Sequence, residues 1–390
     1  MIFKKCLPLI AAFSVWGAGA NAQSPVFGYI GTYNPNGEGV YLVEMNPDTG
    51  ILTKKGVVST LPNPAQLTLN TKNTVLYVAS EIANFKGGKH GSVAAFKVNQ
   101  KTGALEEINE VDAQGAGPVY LTTDSDDKML FVANYQSGSI AVFPADDKGK
   151  LGEASFVFQS EGPAGAPRPE AAVEGSFAIS DHDGPHAHTI EIDPSGKYVF
   201  STDLGLDRIY QWKLDAKNGK LTANEPAYIE ASSKGAGPRH FVFHPNNKFV
   251  YLLNEEASTL TFYEMDDKGT LTEKQTQSSL PEGYKGTAFA SGLIMSADGE
   301  FIYAVNRLHN SISVFKVGKD GQLELIDNTW TRGDYPRTIT FDPAGKYLYA
   351  LNQRSDNVAL FKVDTKSGKL EFTNSFMAVG APSQMVFIKK

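Results

Sequence analysis

The sequence holds one cysteine, Cys6, and it falls inside the first 22 residues. Those residues have the anatomy of a cleaved export leader. Lys4 and Lys5 precede an apolar run from Leu7 to Trp16 interrupted by Pro8, and Ala20-Asn21-Ala22 is a small-x-small cleavage site. The run is too short to span a bilayer as a helix. A buried first element is the competing assignment. A lipid anchor at Cys6 is disfavoured, because too few residues precede it to make an export signal. The leader over residues 1–22 predicts a secreted, periplasmic protein whose mature chain, residues 23–390, has no disulfide, no thiol nucleophile and no cysteine-based metal centre. A chain of this length can hold itself together by its core instead.

Other absences narrow the function further. No block of lysine and arginine occurs, and loss of Lys4 and Lys5 takes the formal charge from −7 to −9, which argues against nucleic acid as a partner. No second apolar run is long enough for a membrane span. Helix signals of any length are missing, as is a Gly-x-Ser-x-Gly nucleophile elbow. Lys86-Gly87-Gly88-Lys89-His90-Gly91-Ser92 superficially resembles a phosphate loop, but it lacks the spacing and sits in a hairpin.

What is present is a repeat. An alternating apolar strand, a turn ending in glycine and then leucine recur seven times, from Gly39-Val40-Tyr41-Leu42-Val43 with Gly50 to Asn357-Val358-Ala359-Leu360-Phe361 with Gly368. The turn glycines, at 50, 103, 149, 219, 269, 321 and 368, lie about fifty residues apart, as four-stranded propeller blades require. Their positive φ suits tight hairpins. Six copies follow a strand such as Lys346-Tyr347-Leu348-Tyr349, itself preceded by a short apolar strand such as Thr338 to Phe341. The first copy lacks that innermost strand, and Gln384 to Ile388 at the chain's end supplies it. The expected fold is therefore all-β: a seven-bladed β-propeller closed by pairing of the C-terminal strand with Phe27 to Tyr33. An open β-solenoid has no use for this complementarity, and ring closure removes exposed edges.

Label the strands of each blade A to D outward from the axis. A and B are antiparallel, so the start of A and the end of B share one end of the channel. The A starts are Ala65, Val119, His188, Arg239, Ser291, Arg337 and Ser383; just past the B ends come Tyr33, Glu81, Tyr135, Leu204, Glu255, Arg307 and Gln353. One rim thus collects His188, Arg239, Arg337, Arg307, Glu255 and Glu81. Such a cluster is costly near a low-dielectric axis unless its members are paired or used; solvation of a wet channel mouth is the plain alternative. The long gap between Gly149 and Gly219 contains an insert, about residues 152–180, rich in Gly, Ala, Pro and Glu and expected to overhang that rim. It leads into Asp181-His182-Asp183-Gly184-Pro185-His186-Ala187-His188. Three histidines there suggest a metal, but no distant pair completes a ligand set, so no metal or other cofactor is expected.

These residues resemble the seven-bladed lactonase family, which includes propeller-type 6-phosphogluconolactonases and carboxymuconate-cyclising enzymes. The likeness covers the mature chain. It is carried by Gly31-Thr32-Tyr33, Gly184-Pro185-His186-Ala187-His188, Asp203 to Arg208, Gly237-Pro238-Arg239-His240, Leu253-Asn254-Glu255, Val305-Asn306-Arg307, Pro336-Arg337 and Asn352-Gln353. It implies His188, Arg239, Glu255 and Arg307 as catalytic residues, with His186 the alternative histidine. His186, Arg337, Tyr33, Glu81, Tyr135 and Gln353 are expected beside them as substrate-binding groups. Two departures are His186-Ala187-His188 for His-Pro-His, and Val119-Tyr120 for a Cys-His pair. The expected partner is a small lactone. Hydrolysis needs a base, Glu255 or His188, and donors for the developing oxyanion, Arg239 and Arg307. Export argues against a phosphorylated cytosolic substrate, and lactone formation from an unsaturated acid is a narrower alternative. A non-catalytic periplasmic binding or scaffolding propeller is the alternative from a different class. No feature of the repeat specifies an oligomer.

Overall fold

Seven four-stranded antiparallel sheets stand around one axis in a computed structural model that describes residues 24–179 and 182–389. The export leader, its cleavage site, Cys6 and Asp181 lie outside the described residues. Blade one takes its innermost strand, Pro382–Phe387, from the chain's end, and pairs it with Val26–Thr32 through Gly28 to Phe387, Ile30 to Met385 and Thr32 to Pro382. Ring closure thus follows the expected complementarity. The innermost strands of blades two to seven are Pro64–Leu69, Pro118–Thr123, Ala187–Ile192, Pro238–Phe243, Phe289–Met295 and Pro336–Phe341. Each begins earlier than its apolar pattern suggests.

The apolar residues that alternate along each strand bury themselves between blades, not within one. Seven clusters fill the seven interfaces; between blades seven and one, for example, Tyr349, Leu351 and Val358 meet Ile30, Val43 and Met385. The recurring turn glycine belongs to this packing. At Gly50, φ is +71°, and a Cβ would stand 2.6 Å from the Tyr347 ring of the previous blade. The close approach lets Tyr349 Oη donate to Gly50 O at 2.6 Å, and Tyr29, Tyr251 and Tyr303 make the same bond to Gly103, Gly321 and Gly368. Each such buried bond contributes about 1 kcal/mol net. The repeat thus sets a turn glycine against the neighbouring blade throughout the ring, with a tyrosine clasp at four of the seven interfaces.

The recurring asparagine at the end of strand B has a different task. Asn134, Asn306 and Asn352 are fully buried and donate to Ala113 O, Ser279 O and Thr331 O, each at 3.0 Å. These bonds fasten the connection entering the blade and so fix the next residue at the rim.

The expected boundaries of the insert need correction. Phe156–Gln159 is not part of a loop but the outermost strand of blade three, paired with Ser139 to Val142. Its alternating aromatics decide this, because Phe156 and Phe158 pack edge-on against Trp212 of blade four. Beyond Gln159 the chain crosses the connections of blades four to six on the rim side. Gly165 N donates to Gly205 O, Glu170 N to Lys234 O, and Gly286 N to Glu174 O, at 2.8, 3.0 and 2.9 Å. The strap is tied back where the buried His182 ring meets Asp207 at 3.2 Å.

Candidate active site

Local backbone irregularity builds the rim. In blades four, five and seven the A–B register slips between Ala187 and Thr189, Pro238 and His240, and Pro336 and Thr338. A bulge of this kind re-aims the side chains next to it. Arg239 and its neighbour His240 therefore both line the channel, where strict alternation would send only one of them inward. Just inside the rim is a cavity of about 150 Å³ whose walls include His188, Arg239, His240, Arg337 and Tyr120.

Glu255 and Arg307 stand beside this cavity, joined to it through Arg239. The Arg239 side chain is 2% exposed, and its Nε donates to Glu255 Oε2 at 2.6 Å. Arg239 Nη1 also donates to Ser291 O and lies 3.0 Å from His240 Nε2. Arg307 Nη2 closes on Glu255 Oε1 and donates to Ala290 O at 3.1 Å, while its guanidinium lies 5.1 Å from the Tyr335 ring centre. One carboxylate thus clamps two guanidiniums with both of its oxygens.

Arg337 belongs to a second group. Tyr33 Oη donates to Glu81 Oε2 at 2.5 Å, Arg337 approaches that same oxygen only to 3.7 Å, and its guanidinium lies 4.9 Å from the Tyr33 ring centre. Arg337 is therefore less committed than Arg239. The third group is aromatic. His186 stacks on Tyr135 at 4.6 Å and bonds Asp183 at 2.8 Å, while His188 packs edge-on to Tyr135 and His240 at 5.5 and 5.1 Å. The Gln353 amide oxygen is buried without a partner, while its backbone N donates to Tyr335 O at 3.0 Å. The three histidines of the insert region diverge: one to the strap, one to the rim, one into the channel. Among the described residues no group of three His, Cys, Asp or Glu side chains is placed to hold a metal.

The electrostatics follow from burial plus an excess of guanidinium. Burial holds the His188 imidazole well below its usual range, and Arg239, His240, Arg337 and Arg307 push the same way. His240 is depressed for the same reasons, burial first. Burial works to raise the Glu255 carboxyl, but Arg307 and Arg239 outweigh it and hold it below the ordinary value. Burial pushes Arg239 down to about 10 against the pull of Glu255. At neutral pH the site holds two neutral imidazoles, one of them with an unpartnered buried Nδ1 at His188, beside ionised guanidiniums and an ionised Glu255.

Sequence reasoning missed four residues near this cluster. His240 and Tyr120 line the cavity, Glu191 accepts the Tyr120 hydroxyl, and buried Glu256 adjoins Glu255. The Pro-Arg-His and Asn-Glu-Glu strings contained two of them; bulge and turn geometry, invisible in the string, turned them inward.

A closed seven-bladed propeller with a cationic, histidine-bearing channel mouth is the class these features define. The family described as a seven-bladed β-propeller lactonase matches residues 27–387. A 6-phosphogluconolactonase of Bacillus subtilis is 32% identical over 93% of this chain and 98% of its own length. One of Formosa agariphila is 29% identical over 92% and 98%. The solved periplasmic gluconolactonase of Pseudomonas aeruginosa superposes with a TM-score of 0.84 at 28% identity, covering 94% of this chain and 99% of that one. The chain belongs to the seven-bladed β-propeller lactonase family.

Proposed function

We propose that the protein hydrolyses an aldonolactone at the rim of its central channel, with His188 as general base and Arg239, Arg307 and Arg337 stabilising negative charge. The observation that carries this reading is the clamp of Arg239 and Arg307 on Glu255 directly beside a neutral, cavity-lining His188. Water attack on an ester carbonyl needs a proton acceptor and preorganised donors aimed at the new oxyanion. The His188 imidazole is neutral and its buried Nδ1 has no partner, which leaves the ring uncommitted; because burial and the guanidiniums also weaken it as a base, it would take the proton as water attacks, not before. Glu255 is the poorer base because both its oxygens are occupied and its carboxylate is stabilised. Its role in this scheme is to orient the two guanidiniums. As the ring opens, the alkoxide takes a proton from the imidazolium, and the product leaves as a hydroxy acid.

The names of the relatives support this chemistry: two are 6-phosphogluconolactonases and one is a periplasmic gluconolactonase. The periplasmic relative and the leader-like residues 1–22 favour an exported protein and an unphosphorylated lactone. Glu255→Gln and Arg307→Ala, assayed on gluconolactone and on its 6-phosphate, test the assignment. Each loses about a hundredfold or more in kcat/KM, the scale of one lost oxyanion donor. Wild-type rates in both variants would overturn the site.

A further inference from the structure

The turn that delivers Arg239 to the rim is gripped by a side chain of the previous blade. Asp207 Oδ2 accepts from Gly235 N at 2.6 Å, and Oδ1 accepts from Gly237 N at 3.0 Å. Two later blades use the same device: Asn310 Oδ1 accepts from Tyr335 N at 2.9 Å and Asp356 Oδ1 from Ala381 N at 2.8 Å. Asp207, Asn310 and Asp356 all adopt left-handed backbone, with φ of +55°, +57° and +51°, which Asp and Asn tolerate. Each holds the N–H two residues ahead of a strand-A start, Arg239, Arg337 or Ser383. Asp207 differs in having a further partner, and that partner comes from the strap. The His182 side chain is fully buried and meets Oδ1 through Nε2 at 3.2 Å. On the strap's outward leg, Arg168 O packs so near Gly235 that a Cβ there would stand 2.5 Å away. The turn in turn holds the clamp: Gly237 O accepts from Glu255 N at 2.7 Å, and Ala236 O from Glu256 N at 3.1 Å. Its N–H groups are thus tied to Asp207 and the strap, and its carbonyls to the residues that meet Arg239 and Arg307.

We propose that Asp207 and His182 are positioning residues: the strap holds the Asp207 carboxylate, and through it the Gly235–Gly237 turn, so that Arg239 meets Glu255 in the geometry the reaction needs. The inference rests on the lactonase reading above for its effect on rate, and on the hydrogen bonds alone for the linkage. A carboxylate offers only lone pairs, so His182 donates to it, and three donors leave the group one orientation. Without the imidazole the carboxylate is free to turn. The glycines at 235 and 237, the most permissive of residues, do not keep the turn in place by themselves. Arg239 is aimed at charge that develops in the transition state, so a displaced turn lowers kcat and leaves KM for a neutral lactone unchanged. A shift of about 1 Å is enough to cost about a hundredfold in rate.

The test compares His182→Leu, which fills the space without a donor, with His182→Gln, whose Nε2 replaces the imidazole donor. Hydrogen exchange of the peptide spanning Gly235 and Gly237, followed by mass spectrometry, reads the linkage without any turnover. Exchange there rises about tenfold or more in His182→Leu, the scale of one lost hydrogen bond to a charged group, and stays at the wild-type rate in His182→Gln. Well below the melting temperature, kcat on gluconolactone falls about 10- to 100-fold in His182→Leu with KM unchanged, and His182→Gln restores it. A role confined to stability would lower the melting temperature and leave kcat of the folded enzyme alone. Asp207→Asn keeps the shape and the left-handed backbone but accepts at one oxygen only; it produces the same two changes and serves if His182→Leu folds poorly. Unchanged exchange in a folded variant, faster exchange with native kcat, or a loss that His182→Gln does not restore overturns the proposal. A wild type that hydrolyses no lactone, with exchange still dependent on His182, instead overturns the lactonase reading alone.

Discussion

Replacing Glu191 by glutamine should stabilise this protein at neutral pH and leave acid stability nearly unchanged. Burial in the channel raises the Glu191 carboxyl from 4.5 to about 7. The folded protein therefore keeps a proton that the unfolded chain gives up. The stability linked to that proton is fully present below about pH 4.5 and is lost as pH rises through about 7. The gap, at about 1.36 kcal/mol per pH unit, sets a ceiling of about 3 kcal/mol, which water in the channel lowers to about 1–3 kcal/mol. Glutamine has the same shape, still accepts the Tyr120 hydrogen bond and cannot ionise. Urea unfolding of both proteins at pH 5, 6, 7 and 8 gives the stability difference directly, and contributions shared by the two cancel. That difference should grow by about 1–2 kcal/mol from pH 5 to pH 8, with most of the change below pH 7. A difference that is flat, or that shrinks with pH, refutes the claim that Glu191 is buried at the cost of its charge.

Two further perturbations probe other parts of the rim. Arg337→Gln should raise KM for a phosphorylated lactone about 10- to 100-fold relative to the neutral lactone in steady-state kinetics, the worth of one charge-assisted hydrogen bond; an equal effect on both substrates would deny Arg337 a role in anion binding. Gly237→Ala should cost about 3 kcal/mol or more in thermal unfolding and abolish activity, because φ there is +70° and the new Cβ would fall 1.4 Å from the Glu256 carboxyl; native stability in that variant would mean the turn relaxes freely.

The architecture was legible because the repeat writes each interblade clasp into the string. A turn glycine in one blade and an aromatic residue in its neighbour recur 65 to 74 residues apart, as with Gly103 and Tyr29, so blade count follows from periodicity, and ring closure from the strand that the chain's end supplies to the first blade. Much of the rim was legible too, since antiparallel pairing forces the start of strand A and the end of strand B to one end of the channel. His240 and Tyr120 were not, because inward and outward faces were assigned by strict alternation, and the bulges after Pro238 and Pro118 break it. The outer strand Phe156–Gln159 was hidden by its surroundings: four residues inside a stretch rich in Gly, Ala and Pro carry too little periodicity to register against a loop composition. Likewise the string cannot rank Arg239 above Arg337 in commitment. That ranking comes from which guanidinium is clamped by Glu255 and which approaches its carboxylate only to 3.7 Å.

Two causes, burial and unbalanced charge, underlie the several shifted groups at this mouth. Three guanidiniums converge on a channel that can solvate them poorly, and the carboxylates paired with them are Glu255 and Glu81. Burial lowers the imidazoles of His188 and His240 and the Arg239 guanidinium, and the positive potential pushes the same way, while Arg307 and Arg239 keep Glu255 ionised despite burial. Such a field is costly in an empty site and becomes favourable when negative charge appears within it. A neutral lactone gains little from it, whereas the tetrahedral oxyanion formed by water attack gains a great deal. In the proposed reaction the arrangement would therefore discriminate between ground and transition states by charge, which is the property a hydrolase needs. In the proposed reaction the same potential would also hold the anionic product, and Arg337, less committed than Arg239, would be where affinity for product carboxylate and for a substrate phosphate compete.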